Sequence, residues 1–358
     1  MNTGKAILET FYRAAGQFVP TEQLAELLRM SAENIVAEVA QLERLGYTIE
    51  SHPHFGYRLL GTPDRLTADD IKARLGAVGF VGAASPPRLT WGKTPGRGGD
   101  AAPTTRQTGN HVIGSEILVF EQTSSTNDVI ARMAKSQRGE GIVVFAESQT
   151  KGRGRHGRAW ASPRGKGLWF SVLLRPELPL SASPRITVAA SVAVARALRR
   201  ICGVDARIKW PNDVTVNGKK LAGVLTELQG EGDEIVAAIL GIGIDVNCAA
   251  VDFPPEVAEI ATSLQVETGR AHDRPALTTA VLQALDECYA AAQTDFDSII
   301  AEWAQLCTTL GKQLVVTIGA RRIEGHAQAL DADGALLIRK DNGQIERILG
   351  GDLVVERA

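Results

Sequence analysis

The sequence of 358 residues predicts an α+β protein with three folded parts. Residues 3–60 contain three helical patterns followed by a hairpin, residues 112–308 alternate between strands and helices, and residues 312–356 contain only short strands. Apolar residues recur at helical spacing in the first part and alternate with polar residues in the last. We therefore predict a helical N-terminal domain, a central domain built on a mixed sheet, and a small C-terminal β-barrel.

The composition is that of an ordinary globular protein. Hydrophobic residues make up 44% of the chain and charged residues 22%, and the net charge of -2 attracts neither nucleic acid nor an anionic membrane. The four cysteines lie far apart without a C-x-x-C pair, which favours free thiols over a disulfide framework or a zinc site. No stretch reaches the roughly 18 apolar residues of a membrane span, and the N-terminus lacks a signal-peptide pattern. We expect a cytoplasmic protein.

The N-terminal pattern is that of a winged helix-turn-helix. The segments KAILETFYRAAG, TEQLAELLRM and AENIVAEVAQLERLG have helical periodicity, and Ser31 precedes the third as a suitable N-cap. The pieces YTIE, SHPHFG and YRLL follow as strand, turn and strand. Helix, helix, tight turn, helix and hairpin is the layout of this fold.

The charge of this domain does not favour DNA. Proteins bind the phosphates of DNA through Lys and Arg, but residues 1–60 contain five of these cations against seven Glu. The presumed recognition helix carries Glu33, Glu38 and Glu43 against Arg44. Two alternatives stay open for the domain, sequence-specific DNA binding or a vestigial or protein-contacting role.

A connecting helix and a low-complexity segment separate the N-terminal domain from the central one. Residues 62–76 have helical periodicity, whereas residues 81–110 are rich in Gly, Pro, Ala and Thr, which is typical of a mobile linker or a surface insertion. The predicted divisions are a winged helix domain at 1–62, a connecting helix and linker at 63–111, a catalytic domain at 112–309 and a β-barrel at 310–358.

Strands and helices alternate in the central domain. The strands EILVF and GIVVFAES flank a helix over 127–136, and the strand LWFSVLL precedes a long helix over 184–200. Asn217 and Gly218 form the turn of a hairpin, and adjacent hairpins indicate a mixed sheet. Two helices close the domain, at 274–291 and 296–308.

The stretch KGRGRHGR at 151–158 combines glycines with four cations. Its glycines fit G-x-G-x-x-G, the pattern of a dinucleotide-binding turn, but that turn needs a helix directly after it. Here Pro163, Gly165 and a strand follow, so the sequence disfavours such a turn. A nucleic-acid patch is disfavoured too, because the basic residues are confined to one loop of a nearly neutral chain.

Two interpretations of this loop remain, a solvated basic loop without a role or a flap that becomes ordered over an anionic ligand. Gly lets a backbone approach a ligand and move. Arg makes bidentate contacts with carboxylate and phosphate groups. The alternation of Gly with Arg favours the flap.

Four motifs occur in an order that is similar to that of a known family. They are TSSTND at 123–128, AESQTKGRGRHGR at 146–158, KWPND with KKLAG between 209 and 223, and GIGIDVN at 241–247. Together they make the chain resemble the biotin protein ligases, in particular the type that is both a ligase and a repressor of the biotin operon. The resemblance implies a central domain like that of the class II synthetases and a C-terminal barrel like an SH3 domain.

The resemblance implies an ATP-dependent, AMP-forming ligation in two steps. Biotin and MgATP give biotinyl-5′-AMP and pyrophosphate, and a lysine of a biotin carboxyl carrier domain then attacks the mixed anhydride. Mg²⁺ is expected with the ATP phosphates, where phosphate and water oxygens supply most ligands. The resemblance also implies two further possibilities. One is a biotin-responsive repressor that binds operator DNA, and the other is a homodimer that forms when the ligand is bound.

The resemblance further assigns site residues. The implied catalytic residues are Lys220 and Arg153. The implied biotin-binding residues are Ser125, Thr126, Gln149, Gly152, Arg153, Arg155 and Lys220. The implied nucleotide-binding residues are Arg155, Arg158, Trp160, Asn212 and Asn247.

Physical chemistry supports several of these roles and offers simpler alternatives for others. A biotin site should be apolar with a few hydrogen-bonding groups, such as Ser125, Thr126 and Gln149, but Ser125 and Thr126 also fit the N-cap of the next helix. Attack of a carboxylate on the α-phosphate gathers negative charge, which fixed cations stabilise. By default Lys220 is a solvated hairpin charge, and Asp213 supports either a lysine or a metal-bound water.

One residue departs from the family motif. Asp245 stands where the family has the first Asn of Gly-Ile-Gly-Ile-Asn-Val-Asn. An amide both donates and accepts hydrogen bonds, whereas an ionised carboxylate only accepts. The role of position 245 is therefore open.

Two rival functions stay open as well. A lipoate or octanoate ligase shares the related catalytic fold, and the other rival is a regulator that senses biotin without ligase activity. The G-R-G-R-x-G-R loop and the K-W-P-N-D motif favour a biotin ligase over the first. The presence of Lys220 and Arg153 argues against the second.

Overall fold

The structure of this chain is a computed structural model. It describes residues 3–80, 112–136 and 138–355, so the predicted linker at 81–110 lies outside the described residues.

Two compact units make up the described chain. The first holds the described residues up to Pro63 together with 69–80, and the second holds Asp64–Ala68 together with the described residues from Val112 onward. Within these ranges no helix is long and apolar enough to span a bilayer.

The first unit is a winged helix-turn-helix, which confirms the prediction. Its elements are α1 (Thr3–Ala14), α2 (Thr21–Leu28), α3 (Ala32–Arg44), β1 (Thr48–His52) and β2 (Gly56–Gly61), followed by α4 (Ala68–Phe80). The connecting helix predicted at 62–76 is α4, which begins six residues later and ends four residues later than predicted. The hydroxyl of Ser31 caps α3 by accepting a hydrogen bond from the backbone N–H of Asn34 at 3.3 Å. Apolar side chains at helical spacing, among them Ile7, Leu24 and Ile35, form the core.

The second unit is built on a mixed sheet, as predicted. Its seven strands are β3 (Glu116–Phe120), β4 (Ile142–Ala146), β5 (Gly167–Leu174), β6 (Arg207–Lys209), β7 (Asp213–Val216), β8 (Lys219–Glu231) and β9 (Glu234–Asp245). Their order is β3-β4-β5-β9-β8-β7-β6. β3 and β4 are parallel, and the other neighbours are antiparallel. The long hairpin of β8 and β9 therefore lies inside the sheet.

The described helices of this unit are α5 (Thr126–Ala134), α6 (Pro184–Cys202), α7 (Leu264–Thr268), α8 (Arg274–Thr294) and α9 (Phe296–Leu306). α6 packs against both α8 and α9, and most of its side chains are buried. The predicted helices exist. α6, α8 and α9 begin where predicted, and the other helix ends lie one to three residues from the predicted positions. The largest shift is at α8, which continues to Thr294 through the helix-favouring segment AAAQT.

A second, five-stranded antiparallel sheet ends the described chain. It contains β10 (Gln313–Ile318), β11 (Arg321–Leu330), β12 (Leu336–Arg339), β13 (Ile345–Ile348) and β14 (Asp352–Val355), in the order β13-β12-β11-β10-β14. The carboxylate of Asp331 holds the turn between β11 and β12, because it accepts hydrogen bonds from the backbone N–H groups of Asp333 and Ala335 at 2.9 Å. The predicted small C-terminal β-domain is confirmed.

A buried arginine joins separate segments of the second unit. Arg274, at the start of α8, is 1% exposed. Its guanidinium donates to Glu147 at 2.7 Å, to Asp64 at 2.9 Å and to the carbonyl of Gly167 at 3.3 Å. Glu147 also accepts the backbone N–H of Leu66 at 3.0 Å. Because a buried charge without partners is costly, this network holds the end of β4, where the glycine-rich loop begins.

Candidate active site

A pocket of about 460 Å³ lies beside β8 and β9. That volume is within the usual range for a small-molecule site. Its walls come from the start of α5, the loop at 149–161, the turn between β6 and β7, and the segment at 253–261. All of these belong to the second unit.

Two paired glycines allow an aromatic wall. Gly223 of β8 and Gly243 of β9 are opposite each other in the sheet, and both lie under the indole of Trp160. A Cβ at Gly243 would come within 2.6 Å of the ring, and one at Gly223 within 2.9 Å. Any side chain at either position would displace the ring, so Trp160 can lie directly on the strands only because both residues are Gly.

A chain of side-chain hydrogen bonds runs along one wall of the pocket. Gln149 Oε1 accepts from the backbone N–H of Thr126 at 2.9 Å. The hydroxyl of Thr126 donates to Ser171 Oγ at 2.7 Å, and Ser171 donates to Asn127 Oδ1 at 2.5 Å. Asn127 in turn donates to Glu227 at 2.6 Å. Each side chain fixes the rotamer of the next, which makes this wall rigid.

The two hydroxyls at the start of α5 do not act as caps. Ser125 occupies the N-cap position, but its side chain makes no capping hydrogen bond and lines the pocket. Thr126 is the first helical residue, and its hydroxyl donates to Ser171. The simpler alternative for these residues, a capping role, is therefore wrong.

The glycine-rich loop does not form a dinucleotide-binding turn. Residues Arg155–Gly157 make one 3-10 turn, and the next α-helix begins only at Pro184. No helix N-terminus follows the glycines to receive a pyrophosphate.

Two carboxylates hold Arg153 of this loop. Its Nε and Nη2 donate to Glu227 at 3.1 and 2.9 Å, and its Nη1 donates to Asp128 at 2.6 Å. The hydrogen bonds with Glu227 are the main cause of the raised pKa of the Arg153 guanidinium. The cation is therefore permanent, and one N–H on each terminal nitrogen is still available to a ligand.

Lys220 and Asp213 form an ion pair in the pocket. Lys220 Nζ is 2.7 Å from Asp213 Oδ1 and 5.0 Å from the centre of the Trp160 ring. Of the two roles open to Asp213, the structure shows the support of a lysine. Next to this pair, Asn212 Oδ1 accepts from Arg155 at 3.3 Å. Lys220 is therefore a positioned cation in the pocket rather than a solvated hairpin charge.

Asp245 is a buried carboxyl at the end of β9. It is 6% exposed and lines the pocket. The thiol of Cys248 donates to its Oδ1 at 3.6 Å. Burial raises the pKa of Asp245 to about 8, although the Cys248 hydrogen bond and the charge of Lys220 lower it in part. Burial therefore favours the neutral form of this carboxyl.

Two residues of the sequence-based site lie outside the lining. The amide of Asn247 makes two hydrogen bonds with the backbone of His272. Its oxygen accepts from the His272 N–H, and its nitrogen donates to the His272 carbonyl, both at 2.9 Å. Gly152 lies behind Trp160, where a Cβ would be 2.4 Å from the Trp160 carbonyl oxygen. The other predicted residues line the pocket together: Ser125, Thr126, Gln149, Arg153, Arg155, Arg158, Trp160, Asn212 and Lys220.

Sequence reasoning named Asp213 but missed the two carboxylates that hold Arg153 and the amide of Asn127. Asn127 and Asp128 belong to the TSSTND motif, so their place beside Thr126 was a usable signal. Glu227 carries no such signal, because only the pairing of β8 with β9 and the path of the loop bring it to Arg153.

Comparison with known proteins agrees with this architecture. The model of the biotin/lipoate A/B protein ligase family matches residues 119–245, that of the biotin protein ligase C terminal domain matches 309–355, and that of an HTH domain matches 5–58. The chain belongs to the biotin protein ligase family.

Within that family the chain is similar over almost its whole length to bifunctional proteins. It is 31% identical to the bifunctional ligase/repressor BirA of Bacillus subtilis over 350 residues, which covers 98% of this chain and 97% of the relative. The BirA of Escherichia coli is 27% identical, covering 96% and 95%. A solved biotin protein ligase from Aquifex aeolicus in complex with biotin and ATP has a TM-score of 0.58 and 31% identity, and it covers 68% of this chain and 100% of that one.

Proposed function

We propose that this protein activates biotin with ATP to biotinyl-5′-AMP and transfers the biotin to a lysine of a biotin carboxyl carrier domain. One observation carries the proposal. Residues from separate sequence motifs, including Thr126, Gln149, Arg153, Asn212 and Lys220, line a single pocket. The relatives named as ligases and the complex of a related ligase with biotin and ATP support it.

The wall with Gln149 and Thr126 suits biotin. Biotin has an apolar bicycle and tail with one polar ureido edge, so it needs few hydrogen-bonding groups in fixed positions. Ser125, Thr126 and Gln149 supply them, and the hydrogen-bond chain prevents these side chains from turning away.

The wall with Trp160 and Lys220 suits the nucleotide. The indole offers a stacking face, and its Nε1 is buried without a hydrogen-bond partner in the described structure. Arg155 and Arg158 add cations that suit phosphate. Asn212 holds Arg155 toward the pocket.

The chemistry of the first step needs fixed positive charge. A carboxylate oxygen of biotin attacks the α-phosphate of ATP, a new P–O bond forms, and pyrophosphate leaves. Lys220, held by Asp213, and Arg153, held by Glu227 and Asp128, stabilise the charge that gathers there. Their carboxylate partners orient the two cations before the substrates bind.

In the second step the ε-amine of the carrier lysine attacks the carbonyl of the adenylate. An amide bond forms and AMP leaves with the electrons of the broken C–O bond. The glycine-rich loop at 151–158 acts as a flap that keeps water from the mixed anhydride until the lysine arrives. We expect trypsin to cut this loop more slowly when biotin and ATP are present, and equal rates would count against the flap.

We propose that Mg²⁺ binds together with the ATP phosphates. In the described part of the chain no cluster of three His, Cys, Asp or Glu side chains can hold a metal ion. This arrangement of side chains fits an ion that takes most of its ligands from phosphate and water. Its chemical contribution would be to neutralise phosphate charge.

Pyrophosphate release tests the enzymatic proposal directly. Purified protein with ATP and Mg²⁺ should release pyrophosphate when biotin is added, and biotin should then appear on a carrier domain. Lipoate and octanoate should give little release. Release that depends on either of them, and not on biotin, would establish the rival ligase. ATP-independent biotin binding without release would establish the regulator.

A second function, repression through operator DNA, rests on the winged helix-turn-helix and on relatives named ligase/repressor. The exposed side of α3 carries Asn34, Gln41 and Arg44, which can read base edges or contact phosphate, but also Glu33 and Glu43. Labelled DNA from upstream of its own biotin genes should bind when biotin and ATP are present. No binding at low salt would remove this role.

We also propose that ligand binding promotes a homodimer. Sedimentation velocity with and without biotin and ATP measures this. A single species of monomer mass in both samples would contradict it.

A further inference from the structure

Asp245 is a buried acid of the pocket whose chemistry the proposed reaction has not used. It lies two residues beyond Gly243 on the same face of β9, because strand side chains alternate. Gly241 and Gly243 present no side chain, so Asp245 is the first functional group at the end of this glycine row. It lines the same pocket as Lys220 and Trp160.

The surroundings of Asp245 do not suit a carboxylate. A buried carboxylate needs several strong donors, but in the described residues its hydrogen-bonding partner is the weak S–H donor of Cys248, at 3.6 Å. The cation that faces it is Lys220, which is already paired with Asp213 at 2.7 Å.

The remaining neighbours add no charge that would ionise it. Gly167 of β5 is its partner in the sheet. The segment at 253–261 contributes the apolar side chains of Phe253, Val257 and Ile260 to the lining. Behind Cys248, Lys166 and Asp252 form an ion pair at 3.3 Å, so their charges largely cancel.

We propose that Asp245 acts as a neutral carboxylic acid whose hydroxyl donates a hydrogen bond to an acceptor atom of the nucleotide. A protonated carboxyl has one donor and one acceptor, as an amide has. In this form it replaces the Asn of the family motif without a negative charge beside the phosphates. The inference rests on the proposed function, because it assigns the Lys220 end of the pocket to ATP.

The neutral form has a limited pH range, since burial raises the pKa of Asp245 to about 8. Above that pH the side chain loses its donor and becomes an anion next to Lys220. It then competes with the nucleotide for the cation and repels the phosphates. Where only the neutral form binds ATP, the KM for ATP rises about tenfold for each pH unit above the pKa.

The test is the KM for ATP and for biotin between pH 7.0 and 9.5, measured with the full chain by biotin-dependent pyrophosphate release. ATP phosphates are already ionised throughout this range, because their last pKa is about 6. We expect the KM for ATP to rise about fivefold between pH 8 and pH 9, and about tenfold between pH 7 and pH 9, while the KM for biotin changes less than threefold. ATP binding followed by Trp fluorescence should show the same change without turnover.

Two variants identify the titrating group. In Asp245→Asn the KM for ATP should no longer depend on pH, because an amide donates at every pH. In Cys248→Ala the rise should persist and move to higher pH, because the thiol hydrogen bond lowers the pKa of Asp245. Glu256→Gln is the control, since it removes an exposed carboxyl outside the pocket lining and should leave the midpoint unchanged.

Inhibition by adenosine and by inorganic triphosphate, each measured at pH 7 and 9, locates the acceptor on the base or on the phosphates. A flat ATP profile in the active wild type overturns the inference. So does a rise that persists in Asp245→Asn or disappears in Cys248→Ala. Absence of biotin-dependent release at every pH would instead reject the proposed function, so the two failures are distinguishable.

Discussion

The two ends of the pocket are held in different ways. At the end proposed for biotin, neutral side chains from Gln149 to Asn127 form a continuous hydrogen-bond chain. At the end proposed for the nucleotide, Lys220 is held by an ion pair with Asp213, and Asp245 is buried beside it. The first arrangement gives directional recognition that does not depend on charge, whereas the second gives charge stabilisation that depends on which groups are ionised.

Arg153 lies between these two arrangements. Glu227 accepts a hydrogen bond from Asn127, the last neutral side chain of the hydrogen-bond chain, and also one from Arg153. Rigidity at the biotin end is therefore transmitted to a cation of the flap. Substitutions at the two ends should therefore change the kinetic constants for different substrates.

The largest effect is expected from Lys220→Ala. Loss of a fixed cation at the site of charge development should lower the rate of biotin-dependent pyrophosphate release by about 100- to 1000-fold. Lys219→Ala is a matched control, because this neighbouring lysine is exposed and outside the lining. A loss below threefold in Lys220→Ala, or an equal loss in the control, would contradict the assignment.

The next effect is expected at the biotin end. Gln149→Leu leaves the backbone N–H of Thr126 without its acceptor, and an unsatisfied buried polar group costs about 1–3 kcal/mol. The KM for biotin should rise about tenfold or more, while the KM for ATP stays within threefold. Gln122→Leu, outside the lining, is the control. An effect on ATP alone would show that the two ends have been assigned in reverse.

A smaller effect is expected where the two ends meet. Glu227→Gln weakens the charge-assisted anchor of Arg153, so trypsin should cut the loop at 151–158 about tenfold faster in the absence of ligand. Biotin and ATP should restore much of the protection. Glu231→Gln, near the exposed end of β8, should cleave like the wild type. Unchanged cleavage in Glu227→Gln would mean that this ion pair does not hold the flap.

The smallest effect is expected on stability at the nucleotide end. The pKa of Asp245 rises from 3.8 to about 8 on folding, so the unfolded chain releases a proton that the folded chain keeps. The contribution of Asp245 to the free energy of unfolding of the wild type should therefore fall as the pH rises from about 4 to about 8. Asp245→Asn removes that loss.

Thermal unfolding of Asp245→Asn and the wild type measures this difference. The Tm of the variant should exceed that of the wild type by at least a few degrees at pH 8, because a pKa difference of several units is worth several kcal/mol and each kcal/mol shifts the Tm of a domain of this size by about 2–4 °C. The gain should be much smaller at pH 5. A gain of the same size at both pH values would show that Asp245 is ionised in the folded protein.

The sequence by itself determined the fold class and most of the pocket. Helical and alternating periodicity located the three helices of the first unit and the strands of the second, because burial of one face acts on neighbouring residues. Short motifs identified Thr126, Gln149, Arg153 and Lys220, since close ligand contacts need particular residues at a local spacing. A single sequence could not assign Asn247, because its motif does not tell whether an amide faces a ligand or the backbone of His272.

Only the tertiary structure decided what surrounds those residues. Glu227 reaches Arg153 across 74 positions of the chain, and Arg274 reaches Asp64 across 210. Strand register placed Gly223 opposite Gly243 beneath Trp160. The neutral state of Asp245 likewise depends on burial by segments distant in sequence. The charge, burial and hydrogen-bond partners of a side chain depend on residues that are close in space but distant in the chain. Local sequence patterns therefore do not predict them.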